Sequence, residues 1–194
     1  MGIKPARSTN LRSHGQLTAK VAQKITQDLT EKGYDVLSDH SPSSENVGKI
    51  VSWYGLEYIK SAELSQLDIA IVKRNSNKAI ALIEIEETSD RPKTLLGDAL
   101  CALMGEHFCF GGKRQILVDE QTTLIILGKS EVSDRERCSY LCEKAMEIKS
   151  NLSTGNSIIG NVVIESFSDE KGLSTRLSSL LDRAYQEELL RIGN

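Results

Sequence analysis

Asp68, Glu84 and Glu86 carry the chemistry that stands out in this chain, because their spacing lets three carboxylates meet. Glu84 and Glu86 lie two apart in the strand-like run KAIALIEIEE (78–87), so both side chains point to one face. Ile83 and Ile85 take the opposite face and bury it. The glutamate face opens with Ile80 and Leu82 and turns acidic at the C-terminal end of the strand, where sites of α/β proteins often collect. A second strand-like run, LDIAIVKR (67–74), precedes it across Asn75-Ser76-Asn77, a three-residue turn of hairpin type. With the turn centred on Ser76, Asp68 lies directly opposite Glu84. Facing residues have Cβ atoms ~4.5–5.5 Å apart, and like charges so placed repel. A hard divalent ion such as Mg²⁺ or Mn²⁺ offsets that repulsion through carboxylate oxygens. The competing arrangement is a solvated strand end, with Glu87 and Asp90 in the same exposed stretch. A slip of one residue would carry Asp68 to the other face and dissolve the cluster.

These residues need a framework, and the periodicity supplies one. Ser13 and Gln16 have capping-box spacing ahead of Leu17, Val21, Ile25 and Leu29, one face of a helix that Gly33 stops. Tyr34 to Leu37 reads as a short strand and SDHSPSSENVG (38–48) as a loop. Residues 50–59, with the only Trp, pack in a form the pattern does not define. After the hairpin, Leu96, Leu100, Leu103 and His107 mark a helix that Gly111-Gly112 ends. TLIILG (123–128) is a buried strand, and Ser133 with Glu136 opens a helix whose face is Cys138, Leu141, Cys142, Ala145 and Ile148. SIIGNVVIESF (157–167) reads as a strand, and a last helix starts near Gly172 with Leu173, Leu177, Leu180, Leu181 and Ala184 inward. The expectation is one α/β domain over residues 1–194, a mixed central sheet flanked by helices.

The totals agree with an ordinary globular chain: 194 residues, 39% hydrophobic and 26% charged. No apolar run is long enough to span a bilayer and no secretory signal follows the basic N-terminus, so the expectation is a cytoplasmic protein without a membrane partner. The net charge of −3 argues against a protein that grips nucleic acid by phosphates alone, although charge can be segregated on one face. Cys101, Cys109, Cys138 and Cys142 are placed in helices as buried residues; with His107 they match no zinc spacing.

An aspartate opening one hairpin strand, followed in the next by an acid two residues before a lysine, is the signature of the PD-(D/E)XK nuclease superfamily. The chain resembles that core over roughly residues 15–128, with a helix-strand-helix extension over about 132–192. The likeness lies in the leading helix, the Asp68 strand, the Glu84-Ile85-Glu86 strand, the following helix and a further strand. It implies a restriction-endonuclease-like fold, with Asp68 and Glu84 holding Mg²⁺ or Mn²⁺. Leu67 stands where the family name has proline, and Glu86 where lysine is usual. Some restriction endonucleases of the superfamily have glutamate there, so Glu86 is a candidate for taking a proton from the attacking water or for a further metal ligand. In other members the lysine comes from a neighbouring element, which makes Lys93 a candidate beside its plain reading as a solvated first-turn lysine. An upstream acid often joins the site; Glu31, Glu45, Glu57 and Glu63 are open choices, and Gln16 has a supporting position.

Two functions compete on these residues. One is metal-dependent hydrolysis of DNA, with Arg91, Lys93, Lys113 and Arg114 on phosphates and a two-fold dimer cutting both strands. The other is a catalytically inactive nuclease-fold module that binds nucleic acid or a protein.

Overall fold

In the computed structural model, which describes residues 15–40, 47–88, 90–130, 135–151 and 158–192, the first periodic segment forms helix α1 (Gln16–Glu31). Its buried face is Thr18, Val21, Ala22, Ile25 and Leu29, and its N-cap is Gly15; the capping-box residue Ser13 lies outside the described residues, as does Ser133. Strand β1 (Tyr34–Ser38) follows, then β2 (Ile50–Trp53), a 3₁₀ turn at Lys60–Ala62 and β3 (Glu63–Leu67). The hairpin is β4 (Ile69–Lys73) and β5 (Ala79–Glu86), and α2 (Pro92–Leu103) crosses from it to a second antiparallel pair, β6 (His107–Phe110) and β7 (Arg114–Ile116). Strand β8 (Thr123–Lys129), α3 (Arg135–Asn151), β9 (Asn161–Phe167) and α4 (Glu170–Ile192) complete the chain.

The strands form two sheets where the periodicity suggested one. The main sheet has the order β1-β4-β5-β8-β9, antiparallel from β1 to β5 and parallel from β5 to β9. A smaller antiparallel sheet has the order β3-β2-β6-β7. The general expectation of an α/β chain with a mixed, helix-flanked sheet therefore holds.

Apolar residues sort onto the two faces of the main sheet. Ile83 and Ile85 pack with α1 and α4, while Leu82 packs with α2, α3 and the smaller sheet. Burying a Leu or Ile side chain contributes about 1.5–3 kcal/mol. The run Ala79 to Ile83 and Ile85 is almost fully buried, so β5 is anchored firmly enough to hold charged groups at its end. On the far side, Glu188 accepts hydrogen bonds from the Tyr34 hydroxyl and from Lys73 Nζ, tying α4 to β1 and β4. No helix among the described residues is long and apolar enough to cross a membrane.

Several local expectations need correction. Ile80 does not share the glutamate face: Val72 pairs with Ala79 and Ile71 with Ala81, so Ile80 is the extra residue of a β-bulge and packs with Ile83 on the opposite side. His107 is not on a helix but opens β6, and Cys109 lies in the same strand. The helix stops at Leu103 because Gly105 is pressed against Ser52 of β2, where an added Cβ would sit 2.8 Å from the Ser52 Cβ. Gly111-Gly112 accordingly makes the turn between β6 and β7 instead of ending a helix. None of the four cysteines is in a disulfide; two are buried and two partly buried.

Candidate metal centre

The hairpin register at the open end is the one that the Ser76-centred turn predicts: Ile69 faces Ile83, Ala70 faces Leu82 and Ile71 faces Ala81. Asp68 therefore stands opposite Glu84. It belongs to neither strand, because the chain passes there from β3 in the smaller sheet to β4 in the main one. Its backbone bonds to both neighbours: the Asp68 N–H donates to the Ile83 carbonyl at 3.1 Å, and its carbonyl accepts the Asp39 N–H at 3.2 Å. Its side chain is equally fixed, with Oδ2 accepting the Ile85 N–H at 2.7 Å.

Electrostatics at this point are strained by like charge. Burial pushes the Asp68 carboxyl well above the usual carboxylate range, and Asp39, Glu87 and Glu86 push it further, against the stabilising Ile85 N–H. Burial does the same to Glu84, helped by Asp68, Asp98 and Asp39 and opposed by the Asp68 backbone. Asp98, on α2, is raised to about 6 by burial and by Glu86. Glu84 Oε2 is buried with no hydrogen-bond partner among the described residues. An orphaned carboxylate oxygen amid like charges is costly, and a cation is the direct remedy.

The other acids of this stretch are committed elsewhere. Both hydrogen bonds to Glu86 fall on Oε1, from the Thr88 N–H at 2.9 Å and from its hydroxyl. Glu87 is not a solvated end residue: its Oε1 accepts the Thr18 N–H at 2.9 Å and the Thr18 hydroxyl at 2.8 Å, capping α1 from another element. Asp90 pairs with Arg137, fastening the start of α2 to α3.

Two residues beside Asp68 went unread in the sequence. Asp39 and His40 follow β1, and one donor from each lies with Asp68 in a group whose atoms are all within 4.8 Å of one another. Among the described residues this is the only such trio, so Asp68, Glu84 and Glu86 share a side without their oxygens being that close. The His40 ring rests on Gly15, where an added Cβ would fall 2.8 Å from three ring atoms. Gly15 also has φ +81°, a left-handed conformation that alanine resists. Gly15→Ala is therefore expected to cost about 1–3 kcal/mol. That appears as a midpoint lower by roughly 2–4 °C per kcal/mol in thermal denaturation.

The predicted auxiliary residues separate by position. Lys93 is exposed in the first turn of α2, and among the described residues it makes no hydrogen bond or ion pair with the acids. Arg91 is the N-cap of the same helix. Arg114 is bound to Asp35 and Asn77 at the turn end of the hairpin, remote from Glu84, and Lys113 is its chain neighbour. Of the upstream acids, Glu31 ends α1, Glu57 is exposed and Glu63 bonds Tyr58 and Gln66; Glu45 lies outside the described residues. Gln16 lines an open cleft of about 350 Å³ with Lys20, Glu87, Lys129 and Ser168. A larger cavity of about 420 Å³, between α3 and β9, is lined by Glu165 and by neither Asp68, Glu84 nor Glu86.

No protein-family model matches the chain, and no curated protein or solved structure matches it either.

Proposed function

We propose that the chain is a divalent-metal-dependent phosphodiesterase acting on DNA, a PD-(D/E)XK nuclease with glutamate in the lysine position. The observation that carries this reading is the pair Asp68 and Glu84, face to face at the hairpin's open end with a buried, unpartnered Glu84 oxygen. The element order supports it: α1, the Asp68–β4 segment, β5 with its acids, the α2 crossover and parallel β8 follow the order the resemblance names.

Asp68 and Glu84 fit a hard cation, which would be Mg²⁺ or Mn²⁺. Bound there, such an ion supplies an acidified water and offsets charge on the phosphate. The Ile85 N–H holds Asp68 Oδ2, which leaves Oδ1 for the ion. Glu86 keeps Oε1 on Thr88, leaving Oε2 to take a proton from the water or to serve as a further ligand. Lys93, exposed at the next helix start, is the proposed phosphate contact. A two-fold pair of chains would cut both strands.

The glutamate at the lysine position and the net charge of −3 favour a second reading, a non-catalytic module of the same fold. Supercoiled plasmid incubated with protein and Mn²⁺ decides between them. The nuclease reading expects nicking that stops in Asp68→Asn and falls at least about 100-fold in Glu84→Gln. Wild-type protein that binds Mn²⁺ without nicking supports the module, and protein that does neither sinks the nuclease.

A further inference from the structure

We infer that Asp39, His40 and Asp68 form a ligand set for a divalent transition ion, with Asp68 shared between this set and Glu84. The inference rests on the metal-dependent reading above and goes beyond it by assigning a nitrogen ligand, and with it the class of ion.

His40 Nε2 lies 3.3 Å from Asp39 Oδ1 and 3.8 Å from Asp68 Oδ1. Two donors each bound at about 2.1 Å to one ion are about 3.0 Å apart at a right angle and about 3.4 Å apart at a tetrahedral one. The first separation fits as it stands, and a small side-chain movement closes the second. Neither is the length of a strong bond between imidazolium and carboxylate, about 2.7–2.9 Å.

The donors are held from outside the trio, as a built ligand set requires. The Ile85 N–H occupies Asp68 Oδ2 and leaves Oδ1 on the His40 side. The Asp39 N–H bonds the Asp68 carbonyl, and the His40 N–H bonds Ser38 Oγ at 3.2 Å, so the backbone bearing both side chains is fixed. Gly15 gives the imidazole its space, since any side chain there would enter the ring. The three side chains are 35%, 21% and 15% exposed for His40, Asp39 and Asp68, open enough for water to complete a coordination shell.

An imidazole in the set discriminates between ions. Mg²⁺ is held through oxygens in near-ideal octahedral geometry, whereas Co²⁺, Ni²⁺ and Zn²⁺ accept nitrogen readily and Mn²⁺ tolerates it. The centre therefore favours a transition ion over Mg²⁺, and His40 is the residue that makes the difference.

Calorimetric titration of the full chain with Co²⁺ and with Mg²⁺ tests this, using wild type, His40→Gln, Asp68→Asn and Glu84→Gln. Co²⁺ is expected to bind at least about tenfold more tightly than Mg²⁺, and His40→Gln to weaken Co²⁺ by about tenfold or more while leaving Mg²⁺ within about threefold. Pulsed electron paramagnetic resonance of Mn²⁺-loaded wild type, which needs no variant, is expected to show the nitrogen coupling of a directly bound imidazole. Co²⁺ affinity unchanged in His40→Gln, or bound Mn²⁺ without nitrogen coupling, overturns the inference. If Asp68→Asn and Glu84→Gln weaken the ions while His40→Gln does not, the inference fails alone and the phosphodiesterase reading stands. If wild type binds no ion, both fail.

Discussion

Glu84→Gln is expected to make the metal-free protein more stable at pH 8 while removing most of its affinity for divalent ions. Glutamine keeps the shape of the side chain and removes an ionisable carboxyl whose charged form burial, Asp68, Asp98 and Asp39 all disfavour. The buried oxygen without a partner becomes part of a neutral amide, whose N–H groups can donate to the neighbouring acids. Folding at pH 8 must either protonate this raised carboxyl or bury its charge, and glutamine spares both costs, worth about 1–3 kcal/mol, which at roughly 2–4 °C per kcal/mol is a clear rise in midpoint. Thermal denaturation in chelator reads the gain, and the same experiment with Mn²⁺ reads the loss, because the variant no longer gains stability from the ion. A glutamine variant that melts below wild type in chelator would show that Glu84 is not under electrostatic load.

The second large effect is a reversal in how stability depends on pH. Asp68, Glu84 and Asp98 all have folded-state values above those of free carboxyls, Asp98 at about 6 and the buried pair also raised. A raised acid contributes stability that is complete below its unfolded value, near about 4, and is lost as pH rises through its folded value. Metal-free protein should therefore melt at a lower temperature at pH 8 than at pH 5. Asp35 and Asp90 work in the other sense: burial would raise them, but Arg74 and Arg114 on the first and Ser130 and Arg137 on the second outweigh it. Their contribution changes only below about pH 4, outside that window. Mn²⁺ at a hundredfold excess over its Kd adds about 2.7 kcal/mol, and it does so fully only where the acids ionise, so it should flatten or invert the trend. Melting curves at the two pH values with chelator and with Mn²⁺ provide the check. A chelated protein whose midpoint rises steadily from pH 5 to pH 8 contradicts the charge account.

The register at the hairpin's open end agrees with the sequence expectation because two irregularities cancel, a fourth residue in the loop and a bulge in β5. Beside the turn Val72 pairs with Ala79 and the Lys73 N–H donates to the Lys78 carbonyl, so the loop is the four residues 74–77. The bulge at Ile80 then restores the register expected of a three-residue turn, and the alternation of Ile83, Glu84, Ile85 and Glu86 sets the faces. The bulge at Ile80 left no trace, since an extra apolar residue between apolar neighbours looks the same on either side of a sheet. The smaller sheet was hidden by short strands: β6 has four residues, too few to separate a period of two from one of 3.6, and His107 also fits a helical spacing from Leu103. Asp98 was legible in principle. It falls three residues after Leu95 and four before Ala102, both buried, so it is a carboxylate on the inward stripe of α2. Asp39 and His40 were not, because a polar loop after a short strand offers no periodicity from which to read direction.

Asp68 sits where the chain steps from one sheet to the other, and this has a consequence for how the protein comes together. Its backbone is bonded to Asp39 after β1 and to Ile83 in β5, while β3, ending one residue earlier, pairs with β2. Contacts between segments so distant in sequence form only after the intervening loops have closed, and they are the slow ones. A partly folded chain with one sheet assembled would have the acids but not their convergence. Ion capture as proposed would thus be a property of the finished molecule, and an ion present during folding would reward completion of the fold instead of trapping an intermediate.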